Sequence, residues 1–266
     1  MPAARRAPIF APLPGASGRH SPGPYLSERE PPLTRALGPR HAAPTWSLGS
    51  RANKSPTAWA APVFSRGGSL LLSPIASLFS QKQLLRERLK GERRAAAAAR
   101  PDAGVHAARN FMAHIPVPDG ATVALYHPLK DELDPTPLAS ALAERGVLLA
   151  LPVVVRKKAP LEFRRFAPGD ALLKGVHGSL EPDAASPIAE PDIAVVPLLG
   201  FTRRGDRLGF GGGYYDRTLA ALRAARPVVI VGYGYGAQEV DALPLSPLDQ
   251  RLDWIVTERE AMRALP

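Results

Sequence analysis

The chain has 266 residues, 45% of them apolar, which is enough for a substantial core and excludes a wholly disordered protein. It contains no cysteine, so a disulfide scaffold, a thiolate metal site and a cysteine nucleophile are all excluded. The formal net charge of +10 is unevenly placed: residues 1–80 contribute +7 and residues 81–266 only +3, so the body of the chain lacks the strong basic field of a nucleic-acid-binding domain.

Residues 1–78 hold thirteen of the thirty prolines, with many serines and glycines and no apolar periodicity lasting two helical turns. Too little clustered apolar surface is present to offset the entropy of ordering, so this segment is expected to be a disordered extension. Its arginine-rich, acid-poor character also fits an organelle-targeting leader or a segment that contacts RNA or membrane. The longest apolar runs, at 70–79 and 147–155, are interrupted by Pro74 and Pro152 and fall short of the ~20 residues that cross a bilayer. A cytoplasmic protein without a membrane partner is the expectation, organelle targeting being the alternative.

The pattern changes at Ser80, a good helix N-cap, and residues 81–99 are rich in strong helix formers. Pro101 suits the first turn of a second helix that ends before Pro116. Short apolar, β-rich runs then alternate with helical ones: strand 122–126, helix 137–145, strands 147–151 and 161–166, strand 193–196, a glycine-rich loop, helix 214–225, and strands 228–231 and 254–256. Strands this short and this uniformly apolar are covered on both faces. The alternation predicts one layered α/β domain over residues 79–266, its sheet covered by helices on both faces.

The richest segment for chemistry is TRRGDRLGFGGGYYD at 202–216, placed between a buried strand and the helix opening at Tyr214. Glycine-rich turns that lead from a strand into a helix present free N–H groups to an anion. Gly209, Gly211, Gly212 and Gly213 leave no Cβ to block backbone approach, and Arg207 supplies a full charge. Neither the Walker loop nor the dinucleotide fingerprint is matched, because Tyr214 stands where either pattern needs another residue. Lys82 and Arg86 lie four apart on the first helix, continued by Lys90 and Arg93; like charges at this spacing are mutually unfavourable unless an acid or a phosphate faces them. No GxSxG, HExxH or paired-histidine pattern occurs, and His106, His114, His127 and His177 are scattered, as surface or packed histidines would be.

The 202–216 segment resembles the signature of the 5-formyltetrahydrofolate cyclo-ligases, also called methenyltetrahydrofolate synthetases. An ordered series supports the resemblance: KQLLR at 82–86, YHPLKDELD at 126–134, SLEP at 179–182 and VDALPLSPLDQRLDWIVTE at 240–258. The resemblance implies ATP- and Mg2+-dependent closure of 5-formyltetrahydrofolate to 5,10-methenyltetrahydrofolate by a monomer or weak homo-oligomer. The formyl oxygen is phosphorylated and then displaced by attack of N10, with no nucleic acid involved in the catalytic domain. Residues 1–78 have no counterpart in the family pattern.

Carried over residue by residue, the resemblance implies catalytic roles for Arg207 and Asp216. It implies nucleotide contacts from Lys82, Arg86, Arg207, Leu208, Gly209, Phe210, Gly211, Gly212, Gly213, Tyr214 and Tyr215, and Mg2+ ligation by Asp216 and Asp249. Glu132 is the substrate-side carboxylate, suited to pair with pterin donors, with Tyr126 and Tyr214 as ring contacts, while Glu181 matches the family's Glu-Pro. Two positions depart from the pattern. Phe210 stands where a basic residue is frequent, which leaves two alternatives, a substitute contact from Arg207, Arg203 or Arg204, or packing of Phe210 on nucleotide or pterin; Leu248 replaces a frequent histidine. The fold the resemblance implies is an open, largely parallel mixed sheet flanked by helices, similar to sugar-phosphate isomerases and CoA transferases, which keeps an isomerase-like enzyme open. An RNA-binding adaptor acting through the leader is the non-enzymatic alternative.

Overall fold

A computed structural model of the chain describes residues 74–265. The extension expected over residues 1–78 therefore lies outside the described residues as far as position 73. Helix α1 already begins at Pro74 and runs to Ala99, so Ser80 is a residue within the helix and not its N-cap. Proline is tolerated in a first turn, where its missing N–H has no intrahelical partner to lose.

The remaining elements follow in chain order: α2 (Ala103–His114), β1 (Thr122–Ala124), α3 (Thr136–Glu144), β2 (Leu148–Val153), β3 (Glu162–Phe166), β4 (Leu173–Lys174), β5 (Leu180–Glu181), β6 (Ile193–Pro197), β7 (Gly200–Phe201), β8 (Arg207–Leu208), α4 (Tyr214–Ala225), β9 (Val229–Tyr233), a 3-10 turn (Gly236–Gln238), β10 (Trp254–Val256) and β11 (Ala261–Arg263). Seven strands form one sheet in the order β11-β10-β9-β6-β1-β2-β3. Its five central strands are mutually parallel, and each edge strand is antiparallel to its neighbour. The expected open mixed sheet is thus present.

Both faces are covered, which explains the uniformly apolar strands. Along β6, Ile193 and Val195 join Phe111 of α2 and Leu138 and Leu142 of α3 in one core. Ala194 and Val196 point the other way, into a second core with Leu219 of α4 and Ile230 and Ile255 of the neighbouring strands. The side-chain period of two thus feeds two layers from one strand.

The strand order also determines where a ligand fits. From β1 the chain moves outward through β2 to β3; it then returns to place β6 on the other side of β1 and moves outward again through β9 and β10. The direction of winding reverses between β1 and β6, and in such sheets the crevice beyond the carboxyl ends of the strands at that point is the ligand site.

Candidate active site

A cleft of about 690 Å³ opens at this point, lined by Tyr126 and His127 beyond β1, Pro152 and Val154 at the end of β2, and Pro197 at the end of β6. One wall is the glycine-rich segment between β8 and α4. Gly211 has φ +100° and Gly213, which caps α4, has φ +65°, conformations open to glycine at little cost. The loop is held from two sides. Arg86 Nε donates to the Gly209 carbonyl at 2.9 Å, and Arg217 Nη2 donates to the Gly212 carbonyl at 2.8 Å. Leu208, Gly209, Phe210, Gly211, Gly212, Gly213, Tyr214 and Tyr215 all line the cleft.

The two aspartates expected to hold a metal are also at this wall, each paired with a cation. Arg207 Nη2 donates to Asp216 Oδ1 at 2.8 Å, and the same oxygen lies 3.5 Å from the Gln250 backbone N–H. Lys82 Nζ donates to Asp249 Oδ2 at 2.6 Å, which also accepts from Ser246 N–H at 2.7 Å. Burial alone would raise the Asp249 pKa, but the Lys82 ammonium and the Ser246 N–H outweigh it and hold the carboxyl below its usual range. Gln250 is the residue after Asp249, so the segment carrying one carboxylate contacts the other through its backbone. Among the described residues no group of three or more His, Asp or Glu forms a metal cage. Hard oxygen donors numbering one or two are what Mg2+ uses when nucleotide phosphates and water complete its shell, so Asp216 and Asp249 fit that ion.

The cleft is also lined by Glu132, 8% exposed. One carboxylate oxygen accepts from Leu129 N–H at 2.8 Å; the other lies 3.5 Å from Arg93 Nη1. Burial raises its pKa, opposed by the Leu129 N–H and by Arg93. Tyr126 is buried and donates its hydroxyl to the Leu133 carbonyl, so it offers the cleft its ring and not its hydroxyl. Burial moves the Tyr126 and Tyr215 hydroxyls well above their usual range. The Tyr214 ring meets His177 edge-on at 5.2 Å and carries the Arg217 guanidinium at 5.4 Å. Glu181 is buried and lines the cleft, packed against Gly175 so closely that a Cβ there would sit 2.1 Å from its Oε1.

Several sequence expectations change. Lys90 does not join Lys82 and Arg86 in facing the cleft; its ammonium pairs with Glu87 at 2.8 Å on the exposed side of α1. Phe210 remains 46% exposed at the cleft, but its ring packs on the guanidinium of Arg93, 5.1 Å from its centroid. Arg203 is taken by Glu239 and Glu260, and Arg207 by Asp216, so neither is an uncommitted substitute for a cation at 210. Leu248 stands 78% exposed at the rim. His127 and His177 line the cleft, whereas His106 and His114 are satisfied within or beside α2. Arg93 was singled out only as part of a charged helix face; its spacing of seven from Arg86, nearly two full turns, is the signal that it points the same way.

Comparison with known proteins identifies the family. The model of the 5-formyltetrahydrofolate cyclo-ligase family matches residues 79–258. This chain belongs to that family. It is accordingly an enzyme of the ligase class. The 5-formyltetrahydrofolate cyclo-ligase of Escherichia coli is 35% identical over 159 residues, covering 58% of this chain and 87% of the relative. That of Mycolicibacterium smegmatis is 31% identical over 192 residues, covering 69% and 97%. Among solved structures, the 5,10-methenyltetrahydrofolate synthetase of Aquifex aeolicus superposes with a TM-score of 0.59 at 29% identity over 70% of this chain and 93% of its own. The synthetase of Mycoplasma pneumoniae gives 0.53 at 26% identity over 66% and 98%.

Proposed function

We propose that this cyclo-ligase uses ATP and Mg2+ to close 5-formyltetrahydrofolate to 5,10-methenyltetrahydrofolate, releasing ADP and phosphate. The observation that carries the reading is a single cleft lined both by a glycine-rich, cation-held loop and by a buried carboxylate. A formamide oxygen is a poor leaving group; moving the γ-phosphoryl group onto it makes it one, and N10 then closes the ring as phosphate leaves. No protein nucleophile is required, so the enzyme's work is placement and charge neutralisation.

Lys82, Arg86 and the amides of the 209–213 loop receive the triphosphate. Asp216 and Asp249 hold Mg2+, which would neutralise charge on the phosphate oxygens. Arg207, fixed by its bond to Asp216, keeps the loop and the metal-binding acid in one register. Glu132 accepts from the amino and ring N–H donors of the pterin through parallel hydrogen bonds, with Tyr126 and Tyr214 bordering its flat face. The reaction is assigned to the cytoplasm and to a monomer or weak homo-oligomer, without a nucleic-acid or membrane partner for residues 79–266. Purified protein given 5-formyltetrahydrofolate, ATP and Mg2+ is expected to form methenyltetrahydrofolate and ADP in equal amounts. Loss of product on chelation of Mg2+ is the companion result; metal-independent turnover would contradict the assignment of Asp216 and Asp249.

A further inference from the structure

Arg93 does not line the cleft, yet it touches two residues that do, Glu132 and Phe210. Its Nη2 donates to the Lys130 carbonyl at 3.1 Å, its Nη1 lies 3.5 Å from Glu132 Oε1, and the Phe210 ring covers its Cζ at 5.1 Å. Arg93 is 5% exposed and Glu132 8%. Arg93 Nε and Nη1 and Glu132 Oε1 are buried with no hydrogen-bond partner among the described residues. A pair kept only for stability would close that gap, because desolvated donors and acceptors left unmatched are costly. Glu132 Oε1 is thus left without a hydrogen-bond donor, with a cation 3.5 Å away. Phe210 excludes water from one face of that cation, which strengthens its field at short range.

We infer that Arg93 is a positioning residue: from α1 it holds Glu132, the folate-side carboxylate, in place, with the Phe210 ring covering its guanidinium. The inference rests on the cyclo-ligase reading above. The groups that face Glu132 are Arg93 from α1, Tyr126 beyond β1 and Tyr215 from α4; of these, Arg93 is the one that favours the charged carboxylate. In place of a basic side chain at position 210, the positive charge on this side of the loop comes from a helix whose other cations, Lys82 and Arg86, face the nucleotide end.

The test uses the full chain. Wild-type turnover of 5-formyltetrahydrofolate with ATP is measured first, and its absence overturns the cyclo-ligase reading and the Arg93 inference with it. With turnover present, Arg93→Met is expected to raise KM for the folate at least about tenfold while KM for ATP stays within about threefold, and to move the acid limb of kcat/KM to higher pH. Arg93→Lys is expected to recover both parameters to within about threefold. In a Glu132→Gln background, where no carboxylate is left bare, Arg93→Met is expected to add less than about a twofold change. That comparison and the lysine variant decide the matter even if Arg93→Met alone does not fold. An equal rise in both KM values, an undiminished effect of Arg93→Met in the Glu132→Gln background, or a lowered Tm with both KM values unchanged would overturn the inference while leaving the enzyme's activity in place.

Discussion

Asp216 and Asp249 each hold a cation in hydrogen-bond contact, so removing either does more than delete a metal donor. Arg207 has a side chain only 3% exposed, and Asp216→Ala leaves it without its acid, a change that costs about 3–5 kcal/mol when both partners of a pair are fully buried and less here because Asp216 borders the cleft. Turnover is expected to fall at least about a hundredfold; near-normal kcat at limiting Mg2+ would contradict the metal assignment. Glu132 gives a pH signature of definite sign. Its folded pKa is above the ordinary carboxylate value, so the folded chain holds the proton more tightly than the unfolded chain, and stability falls as pH rises through the interval between the two. Relative to Glu132→Gln, the wild type should therefore lose Tm as pH rises through and above the ordinary carboxylate range, and a constant difference would contradict the shift. Asp249, with its pKa lowered, contributes in the opposite sense: its stabilisation is present above the ordinary carboxylate pKa and is lost as pH falls through the folded value. At this scale sequence motifs led to Lys82, Arg86, Glu132, Arg207, Asp216 and Asp249, all of which line one cleft. They did not reveal that the acids and cations pair with each other, nor that His127 reaches the cleft, because such pairings join residues up to 167 positions apart.

The glycine-rich loop is where backbone conformation and side-chain anchoring meet. At Gly211, with φ +100°, a Cβ would also lie 3.1 Å from Arg86 Cζ. Gly211→Ala is thus expected to cost about 1–2 kcal/mol of stability and, by displacing Arg86 from the Gly209 carbonyl, to raise KM for ATP about five- to tenfold. Unchanged ATP affinity would separate the loop from nucleotide binding. Helices α2, α3 and α4 were legible within a few residues because each carries a sustained period: α4 starts as expected and α2 and α3 start within two residues of their expected starts, while the three-residue β10 was legible from its apolar run. The hairpins β4–β5 and β7–β8 were not, since strands of two residues are too short for any period to register. The start of α1 was misplaced because a capping serine looked decisive, whereas a proline suited to the first turn lay six residues earlier.

At the scale of the whole molecule, function depends on a strand order that no local pattern encodes. The α/β class followed from the alternation of elements, but the reversal between β1 and β6 that creates the cleft is set by long-range pairing. The charge asymmetry yields a separate prediction. The family match begins at residue 79 and the described fold at Pro74, so a chain lacking residues 1–73 is expected to keep kcat and both KM values within about twofold of the full chain. Salt-sensitive RNA binding that vanishes with the same truncation, together with loss of turnover, would instead favour the adaptor reading of the leader.

The most direct test is the absorbance of methenyltetrahydrofolate after 5-formyltetrahydrofolate and Mg2+ are mixed with the purified protein, before and after ATP is added. The account predicts no product until nucleotide is present and then one ADP for each ring closed. Product formed without ATP, or none formed with it, would contradict the assignment of the cleft.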